Sequence, residues 1–151
     1  MQNIADTSNP ADQNNQTKSL AEAVKPIDTP DECMNWLYSN IRYQADESDE
    51  EFSPPEVTYQ RKSGDCDDFA VMADYIMQQH GYQTQVITVF NQTEGHSVCV
   101  WLDADGKYNY LSNTGIKQLK VSNLEEVASN VYADWQVYVL YPTNESVARK
   151  V

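Results

Sequence analysis

The sequence predicts an α+β fold in which helices come first and pack on an antiparallel β-sheet. Helical periodicity of apolar residues is concentrated in the first half of the chain, and alternating strand patterns follow in the second half. Asp105-Gly106 separates two of the strand candidates, as expected for a two-residue hairpin turn. With 151 residues, of which 40% are hydrophobic, the chain suits one domain with one core.

The two ends of the chain are expected to lie outside this domain. Residues 1–17 contain almost no large apolar side chain after Ile4, so burial there would not offset the entropy lost on ordering. We predict a disordered polar tail over 1–17, a folded domain over 18–143 and a C-terminal tail over 144–151.

The first elements of the domain are predicted to be two helices. A short one covers Leu20–Val24 and must end before Pro26. Thr29-Pro30-Asp31-Glu32 then has the pattern of a capping box with proline at the first helical position. The helix that follows has a core-facing stripe of apolar residues, namely Cys33, Leu37 and Ile41. Cys33 is therefore expected to be buried.

A loop is predicted between this helix and the next. The acidic run Asp46–Glu51 leads into Ser53-Pro54-Pro55, where regular helix is disfavoured. A solvated acidic loop of this kind can steer a basic substrate toward a nearby site.

A longer helix is predicted from Asp65 to Gly81, and Cys66 lies in its first turn. Its core-facing residues share helical spacing: Phe69, Met72, Ala73, Ile76 and Met77. Gly81 stands where a C-terminal cap glycine belongs. His80 is interpreted as a capping residue, since it lies about 20 Å from Cys66 along a helix with a rise of roughly 1.5 Å per residue.

Strands and one further helix are predicted for the rest of the domain. The strand candidates are Gln83–Phe90, His96–Asp103, Lys107–Ser112 and Trp135–Tyr141. Ser122-Asn123-Leu124-Glu125 has the pattern of another capping box, which would begin a short helix ending at about Ala128.

Cys66 is the candidate for chemistry among the three cysteines, which are Cys33, Cys66 and Cys99. Three thiols cannot form a closed set of disulfides, and no pair has the spacing of a zinc or redox motif. The N-terminus of a helix favours the thiolate form and offers backbone N–H groups to an oxyanion. The carboxylates next to Cys66 act in the opposite direction and raise its pKa, so a cationic partner is needed.

His96 is the histidine that can supply this partner, because it opens a strand after the helix. Strand alternation puts His96 and Val98 on one face. If Asp105-Gly106 is a two-residue turn, Val98 pairs with Asn113, which then shares a face with His96 and can orient the imidazole. A one-residue bulge would favour Ser112 instead.

The motif residues resemble those of a known family. They are Ser63-Gly64-Asp65-Cys66-Asp67-Asp68-Phe69-Ala70, the helix end His80-Gly81-Tyr82, and Gly95-His96-Ser97-Val98. Over about residues 29–116 the pattern is similar to the transglutaminase-like superfamily, in particular to its bacterial cysteine proteinases with a papain-like fold.

The resemblance implies a nucleophilic cysteine at a helix N-terminus, a histidine on the following sheet and an aspartate on the next strand. Cys66 and His96 match the first two positions. At the third, this chain has Leu111-Ser112-Asn113-Thr114, so either Asn113 takes this role, as asparagine does in papain, or the role is weakened or lost. Gln60, six residues before Cys66, matches the glutamine that donates to the oxyanion in papain-type peptidases.

The resulting functional expectation is a thiol-dependent hydrolase or acyltransferase acting on an amide or peptide bond. The superfamily also contains non-catalytic members, so a protein-interaction module is the alternative. No cofactor or metal is expected, because capping and turn formation explain the aspartate clusters at 65–68 and 103–105.

Composition restricts the partners. The net charge of −13 argues against nucleic acid and anionic membranes and favours a neutral or basic peptide or protein substrate. No apolar run reaches the roughly 18 residues that a membrane span requires. Because the chain shows no secretory signal, the cytoplasm is the default expectation for its compartment.

Overall fold

The structure is a computed structural model, and it describes residues 18–45, 52–142 and 145–149. The helices are α1 (Leu20–Val24), α2 (Pro30–Asn40), α3 (Pro55–Arg61), α4 (Cys66–Gln79) and α5 (Leu124–Val131). The strands are β1 (Arg42–Tyr43), β2 (Ser63–Gly64), β3 (Thr84–Phe90), β4 (Gly95–Leu102), β5 (Tyr108–Ser112), β6 (Gly115–Val121), β7 (Val137–Tyr141) and β8 (Glu145–Ala148).

Six strands form one sheet in the order β6-β5-β4-β3-β7-β8, and every neighbouring pair is antiparallel. The short strands β1 and β2 form a separate parallel pair. The predicted α+β class is confirmed. Within the described ranges, none of the helices is both long and apolar enough to cross a membrane.

The two faces of the sheet pack against different helices. Cys99, Trp101 and Leu111 join α4 and α2 in one core cluster. Val98, Val100 and Tyr110 join α5 in the other. Successive residues of β4 therefore belong to opposite faces, as strand geometry requires. This alternation puts Ser97 on the α4 face and His96 on the α5 face.

The local signals that begin α2 act as predicted. The Thr29 hydroxyl accepts a hydrogen bond from the Glu32 N–H at 3.1 Å. Cys33, one turn later, is fully buried as expected. For α5, the predicted cap is displaced by one residue, because Asn123 caps the Glu126 N–H at 2.9 Å. That helix continues to Val131 instead of ending near Ala128.

The predicted two-residue turn at Asp105-Gly106 is wrong. The Asp103 N–H bonds to the Lys107 carbonyl at 2.9 Å, so three residues, 104–106, form the loop. Gly106 has φ +72°, the left-handed conformation that completes a three-residue hairpin loop. The register consequently shifts by one residue, and Cys99 stands opposite Leu111.

Five of the described elements were not predicted, namely α3, β1, β2, β6 and β8. The prolines that suggested a loop lie at the start of α3, where Pro55 occupies the first helical position without needing an N–H partner. Strand β6 extends the sheet beyond β5, and β8 pairs with β7. The predictions for residues 1–17 and for the acidic run 46–51 concern residues outside the described part.

Candidate active site

Cys66 is the first residue of α4, and a reciprocal pair of aspartates fixes this helix start. The Asp65 carboxylate accepts from the Asp68 N–H, and the Asp68 carboxylate accepts from the Asp65 N–H, each at 3.1 Å. A Cβ on Gly64 would lie 2.5 Å from the Cβ of Asp68. The Asp68 side chain thus occupies the space beside Gly64.

The segment before Cys66 is held in place from two sides. Arg61, in the last turn of α3, forms an ion pair with Asp68 at 3.1 Å and donates to the Ser63 carbonyl at 2.9 Å. On the other side, β1 pairs with β2, and the Gln44 N–H donates to the Gly64 carbonyl at 2.8 Å. The backbone that presents the thiol is therefore supported by helix and strand.

A chain of polar side chains runs from the sheet to the thiol. The Ser97 hydroxyl donates to Oδ1 of Asp67. The Thr88 and Ser97 hydroxyl oxygens are 2.6 Å apart, and the Cys66 thiol lies 3.9 Å from Oδ1 of Asp67. A hydroxyl has one proton, so with Asp67 ionised Thr88 must donate to Ser97. Asp67 is thereby held between the thiol and β4.

His96 is the chain neighbour of Ser97 at the start of β4 and pairs across the sheet with Val89. Burial lowers its pKa, and the carboxylates of Asp67 and Glu94 oppose that effect. Within the described part of the chain, no hydrogen bond joins the ring to the Cys66 sulfur. The thiol instead lies against the backbone N–H of Ser97, which lowers the pKa of the thiol.

The net effect of the surroundings is to keep the thiol protonated. Burial, followed by the charges of Asp67 and Asp65, raises the pKa of Cys66 to about 11. The neighbouring carboxylates therefore raise the pKa of Cys66, as expected from the sequence. Burial likewise raises the pKa of Asp65 to about 6. At neutral pH the resting site holds a thiol and a neutral imidazole.

The candidate orienting residues lie at the same end of the sheet as His96. Continuing the observed register puts Ser112, not Asn113, on the face of His96, so the predicted face for Asn113 is wrong. The Ser112 hydroxyl contacts the Thr114 hydroxyl at 2.8 Å. Oδ1 of Asn113 is buried without a hydrogen-bond partner in the described structure. Gln60 is exposed on α3.

A pocket of about 310 Å³ opens beside the thiol. The Cys66 pocket is lined by Phe52, Cys66, Asp67, Thr88, Phe90, Gly95 and Val139. Neither Gln60 nor Asn113 is among these residues. No role was predicted for Phe52, Phe90 or Thr88, since they come from separate segments and no local pattern unites them.

Two tyrosines stand near the thiol as well. Burial, followed by the charge of Cys66, raises the pKa of Tyr43. The centroid of the Tyr43 ring lies 6.2 Å from that of the Phe69 ring. Burial, Glu94 and then Cys66 raise the pKa of Tyr132. Both phenols are close enough to sense the charge of the thiolate.

The remaining thiols and histidine have structural surroundings. Cys33 and Cys99 are fully buried, and neither forms a disulfide. Nε2 of His80 lies 3.0 Å from the Val24 carbonyl at the end of α1, so its ring contacts a different helix from the one that it was expected to cap. Among the described residues, no group of three or more His, Cys, Asp or Glu side chains is arranged to hold a metal ion.

Comparisons with known proteins agree with the fold and the motif. A family model described as the transglutaminase-like superfamily matches residues 14–138. The EGTA-treated structure of LapG from Legionella pneumophila is similar with a TM-score of 0.54 and 14% identity, covering 83% of this chain and 76% of LapG. No curated protein matches the sequence.

A second similar structure is that of a proposed cysteine protease from Cytophaga hutchinsonii. Its TM-score is 0.50 and its identity 12%, and the match covers 93% of this chain but 49% of that protein. At these identities the structures support the fold, while the family match extends over most of the sequence. The chain therefore belongs to the transglutaminase-like superfamily.

Proposed function

We propose that this protein is a thiol-dependent hydrolase of a peptide or amide bond, with Cys66 as the nucleophile and His96 as the general base. The observation that carries the proposal is the placement of Cys66. Its thiol begins α4, lies against the Ser97 N–H next to His96, and forms part of the wall of an open pocket. Membership of a superfamily that includes thiol proteases supports the same role.

The protonation states favour general-base catalysis over a preformed ion pair. The pKa of Cys66 is raised by burial and that of His96 is lowered by burial, so the resting pair is thiol and neutral imidazole. As the sulfur attacks the carbonyl carbon, the imidazole takes the thiol proton. The negative charge of Asp67, which raises the pKa of His96, favours the resulting imidazolium.

The remaining steps follow from this pair. The first N–H groups of a helix have no intrahelical partner, so the Cys66 N–H can donate to the oxyanion. When the tetrahedral intermediate collapses, the C–N bond breaks and the imidazolium gives its proton to the amine. Water, deprotonated by His96, then attacks the thioester, and the carboxylic acid and the thiol are released. An amine in place of water would make the reaction an acyl transfer.

The residue that orients His96 is proposed separately. The resemblance makes Asn113 a candidate, and the strand register makes Ser112 the other. In the described structure Oδ1 of Asn113 has no hydrogen-bond partner, so it is an acceptor available to a ring N–H. The observed register favours Ser112 for the shared face. Gln60 stays a prediction as the oxyanion donor, and its exposed place on α3 does not add support.

A non-catalytic interaction module is the second candidate. Two observations favour it: the raised pKa of Cys66, about 11, and the absence of a hydrogen bond to the His96 ring within the described residues. In that case the Cys66 pocket would hold a peptide or partner protein without turnover. The strongly negative charge suits a neutral or basic partner in either case.

The test is cleavage of a proteome-derived peptide library, read by mass spectrometry, with a fluorescent primary amine present to report acyl transfer. The parent protein is compared with Cys66→Ala, His96→Ala and the matched control His80→Gln, which alters the other histidine. We expect Cys66→Ala to abolish turnover and His96→Ala to reduce it by about 100-fold or more. His80→Gln should retain it.

Two results would contradict this proposal. Cleavage that persists in Cys66→Ala would mean that another group or another protein is responsible. No turnover by the parent, together with retention of particular peptides on the immobilised protein, would support the interaction module.

A further inference from the structure

We propose that the Cys66 pocket is the subsite for one uncharged, apolar side chain of the substrate, with room for an aromatic ring, next to the bond that is cleaved. The inference rests on the proposed function in taking Cys66 as the reacting residue. It goes further in naming the class of substrate side chain that the pocket selects.

The walls of the pocket are mainly apolar and come from separate elements. Phe52 precedes α3, Phe90 ends β3 and Val139 belongs to β7. The Phe52 ring stacks on Tyr141 with 4.2 Å between centroids, which fixes one wall. Phe90 is 37% exposed, so part of its ring is open to a bound group. An apolar side chain entering here would cover these surfaces from water.

The polar groups in the wall already have partners. The Thr88 hydroxyl is bonded to Ser97, and Oδ1 of Asp67 accepts from Ser97. A polar side chain would therefore lose hydration and gain few hydrogen bonds. The Asp67 carboxylate would repel an acidic side chain. A lysine or arginine would lose hydration against the mainly apolar walls, while Oδ1 of Asp67 is already engaged by Ser97.

The volume of the pocket is sufficient for one large side chain. A volume of about 310 Å³ is at the lower end for ligand pockets, which span roughly 300–1,000 Å³. Gly95 sets the position of one wall, because a Cβ there would lie 2.6 Å from Cε1 of Phe90. The aromatic ring thus occupies the space that any other residue at position 95 would need.

The experiment uses three alkylating probes with the same reacting carbon: iodoacetamide, N-benzyl iodoacetamide and N-(2-aminoethyl) iodoacetamide. In each reaction the Cys66 sulfur bonds to carbon, iodide leaves and the thiol proton passes to solvent. Rates at Cys66 are normalised to those of glutathione. We expect the benzyl probe to exceed iodoacetamide by about tenfold, from burial of its ring. The aminoethyl probe should show no preference.

Variants test whether the pocket causes this preference. Phe90→Ala removes one wall and Gly95→Ala displaces it, so both should reduce the benzyl-to-iodoacetamide ratio toward one. Phe90 is partly exposed, so its truncation is the safer variant for folding. Val57→Ala is the matched control, because Val57 is 45% exposed on α3 and does not line the pocket. It should leave the ratio unchanged.

The outcomes separate this inference from the proposed function. An equal rate for the benzyl probe and iodoacetamide in the parent, a ratio that survives Phe90→Ala, or a preference for the aminoethyl probe would each overturn the apolar subsite, even if peptides are cleaved. A benzyl preference that depends on Phe90, without peptide cleavage, would leave the subsite standing and count against the hydrolase.

Discussion

An aspartate lies at each end of β4, and the two carboxylates have different hydrogen-bond and ion-pair partners. At the C-terminal end, the Asp103 carboxylate accepts from the Lys120 ammonium at 2.8 Å and from the Asn109 amide at 3.1 Å. At the N-terminal end, the Asp67 carboxylate accepts from the Ser97 hydroxyl. Among the described residues, no lysine or arginine forms an ion pair with Asp67.

The pKa shifts follow this difference in partners. Lys120 and then the turn N–H of Lys107 lower the pKa of Asp103. Burial raises the pKa of Asp67, and hydrogen bonding from Ser97 only partly offsets it. Asp103 has a lowered pKa and belongs to a structural turn. Asp67 has a raised pKa, which means that its charged form is disfavoured, and it lies beside a thiol; a perturbed carboxylate in such a place is typical of a functional site. The aspartates at 103–105 therefore have a structural role, whereas those at 65–68 belong to the candidate site.

The largest effect is expected from Gly64→Ala, which breaks the helix start that holds Asp67 in place. The new Cβ would displace Asp68 and disrupt the capping pair with Asp65. We expect a loss of about 2–3 kcal/mol in the free energy of unfolding, measured with urea. The control is Gly81→Ala, where nothing lies within 4 Å and only φ +84° is unfavourable. A Gly64→Ala loss no greater than that of this control would contradict the steric argument.

The next effect concerns the charge of Asp67 itself. Asp67→Asn removes a charge that raises the pKa of Cys66, so that pKa should fall and alkylation by iodoacetamide at pH 8 should accelerate by several-fold. The same change removes a charge that raises the pKa of His96, which should fall as well. Peptide mass spectrometry and histidine NMR titration measure the two shifts. An unchanged pKa for both groups would mean that Asp67 acts only as a structural link to Ser97.

A smaller effect is expected in the pH dependence of stability. The folded pKa of Asp65 is about 6, raised mainly by burial above its ordinary value. The stability that protonated Asp65 contributes is therefore fully present below its unfolded pKa and is lost as pH rises through about 6. Since this folded pKa lies between 5 and 7.5, Tm should be higher at pH 5 than at pH 7.5.

Asp65→Asn should reduce that difference in Tm, while Asp103→Asn serves as the control. The pKa of Asp103 is lowered, so its contribution changes only at more acidic pH. If both variants reduced the difference in Tm between pH 5 and pH 7.5 equally, the difference could not be assigned to Asp65.

The smallest effect is expected from Lys120→Gln at the other end of β4. Lys120 is exposed and contacts Asp103 at 2.8 Å and Asp105 at 3.7 Å, so Tm should fall by no more than about 3 °C. Without Lys120, the pKa of Asp103 should rise toward its ordinary value. The stability that Asp103 contributes above its unfolded pKa would then be lost at a higher pH during acidification. A carboxyl NMR titration that shows Asp103 unchanged would contradict this.

Local signals were sufficient to predict the start of α4. Asp65 and Asp68 cap one helix through neighbouring backbone groups, so the position of Cys66 needed no knowledge of distant contacts. The same reasoning located α2 from Thr29. It failed for α3, because proline was interpreted as a helix breaker where it occupies the first helical turn.

Register was harder to predict because it depends on how a turn closes. Asp105-Gly106 fits both a two-residue and a three-residue loop. The longer loop is stabilised by the Asp103 carboxylate, which accepts from the backbone N–H groups of Asp105 and Lys107. Because the loop is one residue longer than predicted, Ser112 and not Asn113 lies on the face of His96.

The role of Ser97 was not predicted either. Its significance arises only when α4 brings Asp67 and β3 brings Thr88 to the same point of the sheet. The contact between Asp67 and Ser97 joins residues thirty positions apart, and a single sequence contains no record of it. For the same reason the Cys66 pocket was missed.

The unequal burial of the three cysteines has a practical consequence for spectroscopy. Burial raises the pKa of Cys33 to about 12, and Cys99 is fully enclosed with its pKa also raised by burial. Cys66 is the partly exposed one. A maleimide fluorophore or a nitroxide can therefore be attached at a single known position in the natural sequence, where it would report directly on whatever enters the neighbouring pocket.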